Sequence, residues 1–260
     1  MPDRGARRNT RPVRVRLDTA PRVGTAGWSL PRAEKPHFPA EGTNLERYAA
    51  RLDAAEINSS FYRPHRPSTY ARWAASVPAH FRFAVKVPKA ITHERRLAGA
   101  EPLLDAFLAE VGALGDRLGP LLVQLPPSLR FDAPVAEAFL VALRERHAGP
   151  VAVEPRHPTW LDAEAEALLA AHRVARVAAD PARAEVDASP GGWDGLRYYR
   201  LHGSPRIYYS AYDDAYLRSL AVRLGGAPTA PAWCIFDNTA SGAATANALA
   251  LRARLARSSR

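Results

Sequence analysis

Residues 151–160 read V-A-V-E-P-R-H-P-T-W, an apolar strand that ends on Glu154, Arg156 and His157 and is cut off by Pro155 and Pro158. Strands of parallel sheets are near-continuous apolar runs, so a run that breaks into ionisable groups at its C-terminal end marks the wall of a site. The same pattern recurs on both sides of this stretch. Upstream, strands are predicted at 23–29, 54–62, 82–88 and 119–127; downstream, at 175–181, 197–203 and 230–238. Helical patterns fall between them at 45–52, 102–114, 134–147, 213–224 and 242–255, with a short helix capped by Ser68 or Thr69 and another capped by Asp162 running through His172. Residues 182–195, which include S-P-G-G, carry no helical period, and the sixth helix is expected to be missing or replaced by a loop.

Eight strands alternating with helices fill the length of a (β/α)8 barrel. The expected fold class is therefore α/β, a single TIM-type barrel over 23–250, with a basic, flexible arm at 1–22 and a basic C-terminal end at 251–260. A doubly wound open sheet is the runner-up. It fits less well because no G-x-G-x-x-G follows the first strand, and for the same reason neither NAD nor a flavin is expected.

The formal charge of +10 sits at the ends of the chain, with +5 in residues 1–22, +4 in residues 251–260 and only +1 between them. A near-neutral body with arginine-rich ends gives weak support to nucleic-acid binding, which could act only through those ends. No apolar run reaches the roughly 18 residues of a membrane span, and the N-terminus has no apolar segment of the signal-peptide kind, so a cytoplasmic protein is expected. Cys234, the single cysteine, lies in the apolar run W-C-I-F and reads as a buried structural thiol. Among 36 basic residues only Lys35, Lys86 and Lys89 are lysine.

Side chains alternate along a strand, so the polar strand ends can be assigned to a face. On the fifth strand, Ala152, Glu154 and Arg156 point to the barrel axis, and Val151 and Val153 to the helices. Applied throughout, this reading gathers Glu56, Asn58, Lys86, Gln124, Glu154, Arg156, Asp180, Arg200, His202, Asp237 and Asn238 at the C-terminal mouth, where barrel enzymes place their chemistry. His157 has the opposite parity and serves a loop contact. Glu154 is the candidate general acid/base, with Lys86, His202 and Glu56 as further catalytic candidates. Arg156, Asn58, Gln124, Arg200, Tyr62, Asp237 and Asn238 are candidate substrate contacts. Glu56, Glu154, Asp180, His202 and Asp237 could hold a divalent cation, although none has dedicated ligand spacing. Lys86 could form a Schiff base or contact an anion; a salt bridge to Glu56 is the favoured alternative. Retaining glycoside hydrolysis is disfavoured, because Gln124 and His202 stand where barrel glycosidases carry their carboxylates. A salt-bridge layer that merely closes the barrel competes with every catalytic reading.

Two loops, L-H-G-S-P-R at 201–206 and D-N-T-A-S-G at 237–242, are small, polar and suited to an anion. Trp28, Phe61, Tyr62, Trp160, Tyr208, Tyr209 and Tyr212 either stack on a ligand or roof the barrel. The leading expectation is an enzyme for a small polar, anionic or sugar-like substrate. The alternative is a non-catalytic nucleic-acid or protein-binding module working through the arginine-rich ends; the residues leave oligomeric state open.

The motifs G-T-A-G-W-S, E-I-N-S-S-F-Y-R-P, F-A-V-K-V-P-K-A-I-T-H, G-P-L-L-V-Q-L-P-P-S, V-E-P-R-H-P-T-W, R-L-H-G, Y-Y-S-A-Y and F-D-N-T occur in that order. In these stretches, over about residues 23–250, the chain resembles the YecE-like family, also called domain of unknown function 72. The resemblance implies a TIM-type barrel and supplies no reaction. Pro155 stands where such proteins often carry an aromatic or aliphatic residue.

Overall fold

The computed structural model describes residues 20–182, 185–226 and 230–258. Most of the basic arm and the last two residues, on which the nucleic-acid reading rests, lie outside the described residues. The strands are β1 (Arg22–Ala26), β2 (Ala54–Ile57), β3 (Arg82–Lys86), β4 (Leu118–Gln124), β5 (Val151–Glu154), β6 (Ala175–Arg176), β7 (Ala178–Asp180), β8 (Gly191–Gly192), β9 (Arg197–Leu201) and β10 (Ala232–Phe236). The α-helices are α1 (Asn44–Ala49), α2 (Pro67–Ala75), α3 (Glu101–Val111), α4 (Ala133–Arg146), α5 (Ala163–Ala171), α6 (Asp214–Gly225) and α7 (Ala243–Ser258). The fold is mixed α/β, built on a nearly closed, barrel-shaped sheet.

The sheet order is β7-β9-β10-β1-β2-β3-β4-β5-β6-β8. Its two flanks meet in one stretch of chain: β6 pairs with β5, β7 pairs with β9, and only Val177 separates them. The expected sixth strand is thus split in two, and each half holds one side of the barrel. After β7 the strand–helix alternation lapses, and the described residues before β9 hold a 3-10 turn (Glu185–Ala188) and β8, which pairs antiparallel with β6.

Alternation along the strands divides the core into two clusters. Ala54, Ala84, Leu122, Ala152, Ala175, Val177, Tyr198, Trp233 and Ile235 fill the barrel, with the Tyr198 and Trp233 rings stacked at 6.2 Å. Ile57, Val85, Leu125, Val151, Val153, Leu201 and Phe236 lie in the outer cluster beneath the helices. Close strand approach demands glycine at position 24, where a Cβ would come within 2.0 Å of the Ala54 carbonyl oxygen. Gly119 likewise leaves room for the Trp233 ring, which a Cβ would meet at 2.6 Å.

Three local expectations change. Helix α2 starts at Pro67 with Arg66 as N-cap, so neither Ser68 nor Thr69 caps it: proline lacks an N–H and has a helical φ, which suits the first helical position. Asp162 stands at the N-cap of α5 without a side-chain hydrogen bond. Residues 251–258 continue α7, so the basic end is helical where it is described. Cys234 is fully buried, and burial pushes its thiol pKa up. No described helix is long and apolar enough to cross a membrane.

Candidate active site

Two residues above the apolar plug, six of the strands turn polar. Glu56 follows Ala54, Lys86 follows Ala84, Gln124 follows Leu122, Glu154 follows Ala152, Arg200 follows Tyr198 and Asp237 follows Ile235. This is one layer of the barrel, and Arg200 is its hub. Its Nη2 and Nε donate to Glu56 Oε1 and Oε2 at 2.7 and 3.1 Å, and its Nη1 donates to Glu154 Oε2 at 3.1 Å. Nη2 also lies 3.0 Å from Asp237 Oδ2. The forked guanidinium can serve three acceptors at once, which an ammonium could not do in fixed geometry. Tyr198 donates its hydroxyl to Glu56 Oε2 at 3.1 Å.

Above the hub, His202 bridges two carboxylates, with Nδ1 3.0 Å from Asp237 Oδ2 and Nε2 2.7 Å from Glu154 Oε1. Arg156 Nη2 lies 2.6 Å from Glu154 Oε1 and 2.8 Å from the same His202 Nε2. Arginine carries only donors, so Nε2 accepts from Arg156 when it lacks a proton and donates to Glu154 when it holds one. The Glu154–His202–Asp237 chain therefore has two proton arrangements within one geometry.

Burial favours the neutral acid at Glu154, but Arg156, Arg200 and His202 together outweigh it and hold the carboxyl well below its usual range. At Asp237, burial is likewise outweighed by Arg200 and the His202 hydrogen bond, and its pKa is lowered. Glu154 is thus held as an anion, which leaves it no proton to give as a general acid. Carboxyl pKa values depressed by folding contribute stability that is complete above the unfolded values, about 4.3 for Glu and 3.9 for Asp, and is lost as pH falls through the folded values. Denaturant titrations from pH 6 down to 3 should therefore show wild-type stability falling more steeply than that of Glu154→Gln, which has no proton to take up there. Equal slopes would refute the ion-pair assignment.

Lys86 departs from its expected pairing. Arg200 has taken Glu56, and among the described residues the Lys86 ammonium has neither ion pair nor hydrogen bond; Nζ rests 4.0 Å from the Phe61 ring centroid. It is 5% exposed. Burial, then repulsion from Arg200, pushes its pKa down to about 8 against the pull of Glu56, Glu154 and Asp237.

The remaining candidates divide. Gln124 stands beside Glu154 in the β4–β5 register, and Asn58 begins the loop beyond β2, its buried Oδ1 without a hydrogen-bond partner among the described residues. Asn238, next in sequence to Asp237, takes the opposite parity and donates to the Ser210 carbonyl and Asn247 Oδ1 at 2.9 Å each, fastening loop to helix. Asp180 accepts the Tyr212 hydroxyl at 2.7 Å, and its carbonyl receives the His202 N–H, so it positions His202 from outside the ring. Tyr62 is 68% exposed on the flank. His157 accepts from the Thr159 N–H at a 3-10 N-cap, as its parity implies. Of the five metal candidates Glu56, Glu154, His202 and Asp237 gather around Arg200 and Asp180 stands outside, and among the described residues no group of three or more His, Cys, Asp or Glu is arranged for a metal ion. Their oxygens are turned to guanidinium and phenol donors instead.

The aromatics also sort themselves. Trp160 is buried against Phe131, and Tyr212 clasps Asp180. Tyr208 stands edge-on over His202 at 5.8 Å between centroids, held at φ 69° by its N–H to the His202 carbonyl and its carbonyl to the Ala240 N–H. A non-glycine residue kept in the left-handed region is strained, and such strain is concentrated at ligand clamps. Tyr198 was the one ring member missed in the sequence, although its i, i+2 spacing from Arg200 places it on the same face.

Residues 22–260 match the model of the family described as "Protein of unknown function DUF72". The chain belongs to the DUF72 family. Within DUF72 it is 31% identical over 140 residues to the UPF0759 protein YecE of Escherichia coli and 25% identical over 146 residues to the UPF0759 protein YunF of Bacillus subtilis. Each alignment covers 53% of this chain, and the chain spans about half the length of the curated relatives it matches, 49% and 51% respectively. A DUF72 family protein from Thermotoga maritima shares the fold with a TM-score of 0.74 at 24% identity, covering 91% of this chain and 99% of that one. One from Enterococcus faecalis superposes with the same score at 22% identity, covering 90% and 95%. These DUF72 likenesses carry the fold and no assigned activity.

Proposed function

We propose that the chain is an enzyme that binds a small polar, anionic or sugar-like compound at the barrel mouth and moves a proton on it. The observation that carries this reading is the Lys86 ammonium, which among the described residues rests on the Phe61 ring with neither ion pair nor hydrogen bond, while the carboxylates around it are paired with arginine. Three carboxylates (Glu56, Glu154, Asp237) face three cations (Lys86, Arg156, Arg200), yet Arg200 and Arg156 take up the carboxylate contacts and leave Lys86 beside Phe61. A layer built only to close the barrel would satisfy every buried charge, because an unpaired one is expensive. In this reading Glu154 accepts a proton through His202, Asp237 fixes the His202 ring and the Asp180 carbonyl its backbone. Lys86 and Arg156 attract the substrate anion, Gln124 and Asn58 offer it hydrogen bonds, and Arg200 with Glu56 forms the rigid floor. Tyr62 and Asn238 have no part. A metal has none either, since the carboxylate oxygens are already engaged by arginine.

The test is a binding and turnover screen of the full chain against small sugars, sugar phosphates, hydroxy acids and keto acids, followed by proton NMR. At least one compound is expected to bind and be converted by wild type, with affinity falling about tenfold or more in Lys86→Met and Arg156→Met, the loss of one or two charge-assisted contacts. If no compound binds, or binding is indifferent to both substitutions, the proposal fails. Nucleic-acid binding that vanishes on deletion of residues 1–21, without any small-molecule binding, would favour the arginine arms instead.

A further inference from the structure

The Lys86 environment suits more than electrostatic attraction. A guanidinium stays charged across the pH range of folded proteins, whereas an amine can lose its proton and become a nucleophile. The chain carries 36 basic residues of which three are lysine, and one of these three lies inside the barrel. Its Nζ sits against the Phe61 ring at 4.0 Å, with no ion pair or hydrogen bond among the described residues. The charged groups that bear on it are Glu56 from β2, Glu154 from β5, Arg200 from β9, Asp237 beyond β10 and, on the far side, His93. The three carboxylates that would otherwise hold it as an ammonium are drawn to Arg200. Lys35 and Lys89 differ: both are exposed, and Lys89 is paired with Glu94 at 3.3 Å.

We propose that Lys86 is the amine of a Schiff-base site, condensing with the carbonyl of a small anionic aldehyde or ketone. This rests on the mouth being the substrate site. The Nζ lone pair attacks the carbonyl carbon; a C–N bond forms, the C=O π pair moves to oxygen, and that oxygen takes a proton to give a carbinolamine. The nitrogen gives up a proton, the hydroxyl takes a second proton and leaves as water, and the C=N bond closes to a protonated imine, which releases its remaining N–H proton to give the neutral imine. Amine plus carbonyl yields imine plus water, with no change in oxidation state. Protonated, the imine withdraws electrons from the adjacent carbon, so a proton taken from that carbon by the Glu154–His202–Asp237 chain would follow. Arg156 is placed to pair with the substrate anion. Burial and Arg200 depress the Lys86 pKa to about 8, so a useful fraction of free amine exists near neutral pH.

The experiment is reductive trapping of the full chain with cyanoborohydride and, in separate reactions, pyruvate, glyoxylate and dihydroxyacetone phosphate, followed by peptide mass mapping. The expected result is a reduced adduct on Lys86 at least about tenfold above that on Lys35 and Lys89, although Lys86 is far less exposed; one decade corresponds to one unit of amine pKa. Its yield should rise with pH to a plateau above about 8, and Lys86→Arg should abolish it while leaving the Lys35 and Lys89 signals unchanged. No adduct at Lys86, or one no greater than at the two exposed lysines, overturns the proposal. Should the screen above find a ligand whose affinity depends on Lys86 while trapping leaves Lys86 unmodified, the imine is refuted and the electrostatic reading of the mouth stands.

Discussion

Arg200→Met should lower unfolding stability by about 3–5 kcal/mol at pH 7, the range for removing one partner from a buried ionic cluster. Met fills a similar volume, so lost packing contributes little. The loss comes from carboxylates left in a dry layer without their shared cation: Glu56 forfeits two guanidinium bonds, and Glu154 and Asp237 one contact each. The gap from wild type should narrow between pH 7 and 4. Wild-type Glu154 and Asp237, with pKa values lowered by Arg200 and its neighbours, stay ionised and paired over this range, whereas the variant relieves its orphaned carboxylates by taking up protons. Chemical denaturation at the two pH values measures both. A loss below about 1 kcal/mol, the scale of an exposed ion pair, would show that water reaches the layer and that Arg200 is not its hub.

Lys86→Met should do the opposite and stabilise the fold, by on the order of 3 kcal/mol near pH 7, since each unit of pKa displacement is worth about 1.4 kcal/mol. The folded pKa of about 8 lies below the unfolded value of about 10.4. Folding therefore disfavours the ammonium, and this penalty is complete below pH 8, shrinks as pH rises between the two values and is absent above the upper one. The gain in the variant should follow the same course, largest at pH 7 and nearly gone at pH 10.5. Thermal and denaturant unfolding at pH 7, 9 and 10.5 test this. A variant less stable than wild type at pH 7 would mean that Lys86 is held by attraction and belongs to the salt-bridge layer. Stabilisation together with loss of ligand affinity is the signature of a group kept for function against the interest of the fold.

The strand ends were legible because alternation is a local rule. Apolar pattern and turn residues locate the strands, and parity then puts Glu56, Lys86, Gln124, Glu154, Arg156, Arg200 and His202 on the axis. Asp237 follows the same rule; Asn238 does not, since adjacent residues on a strand face opposite ways. Asp180 fails for another reason: it lies at the end of the split strand β7, where Tyr212 and the His202 N–H reach it from outside the ring. The split itself left only an indirect trace, the missing helical period after residue 181, because two short ladders with different neighbours resemble one strand in sequence.

By itself, then, the sequence determined the succession of strands, the face most strand side chains take and the layer of charge above an apolar plug, since all three depend on periods of two and of about 3.6 residues along one chain. Which charge pairs with which was decided only in the tertiary structure. Arg200 and Glu56 are 144 positions apart and meet across the barrel through the registers of β9, β10, β1 and β2. Once the forked guanidinium has taken the carboxylates, Lys86 is left beside the Phe61 ring.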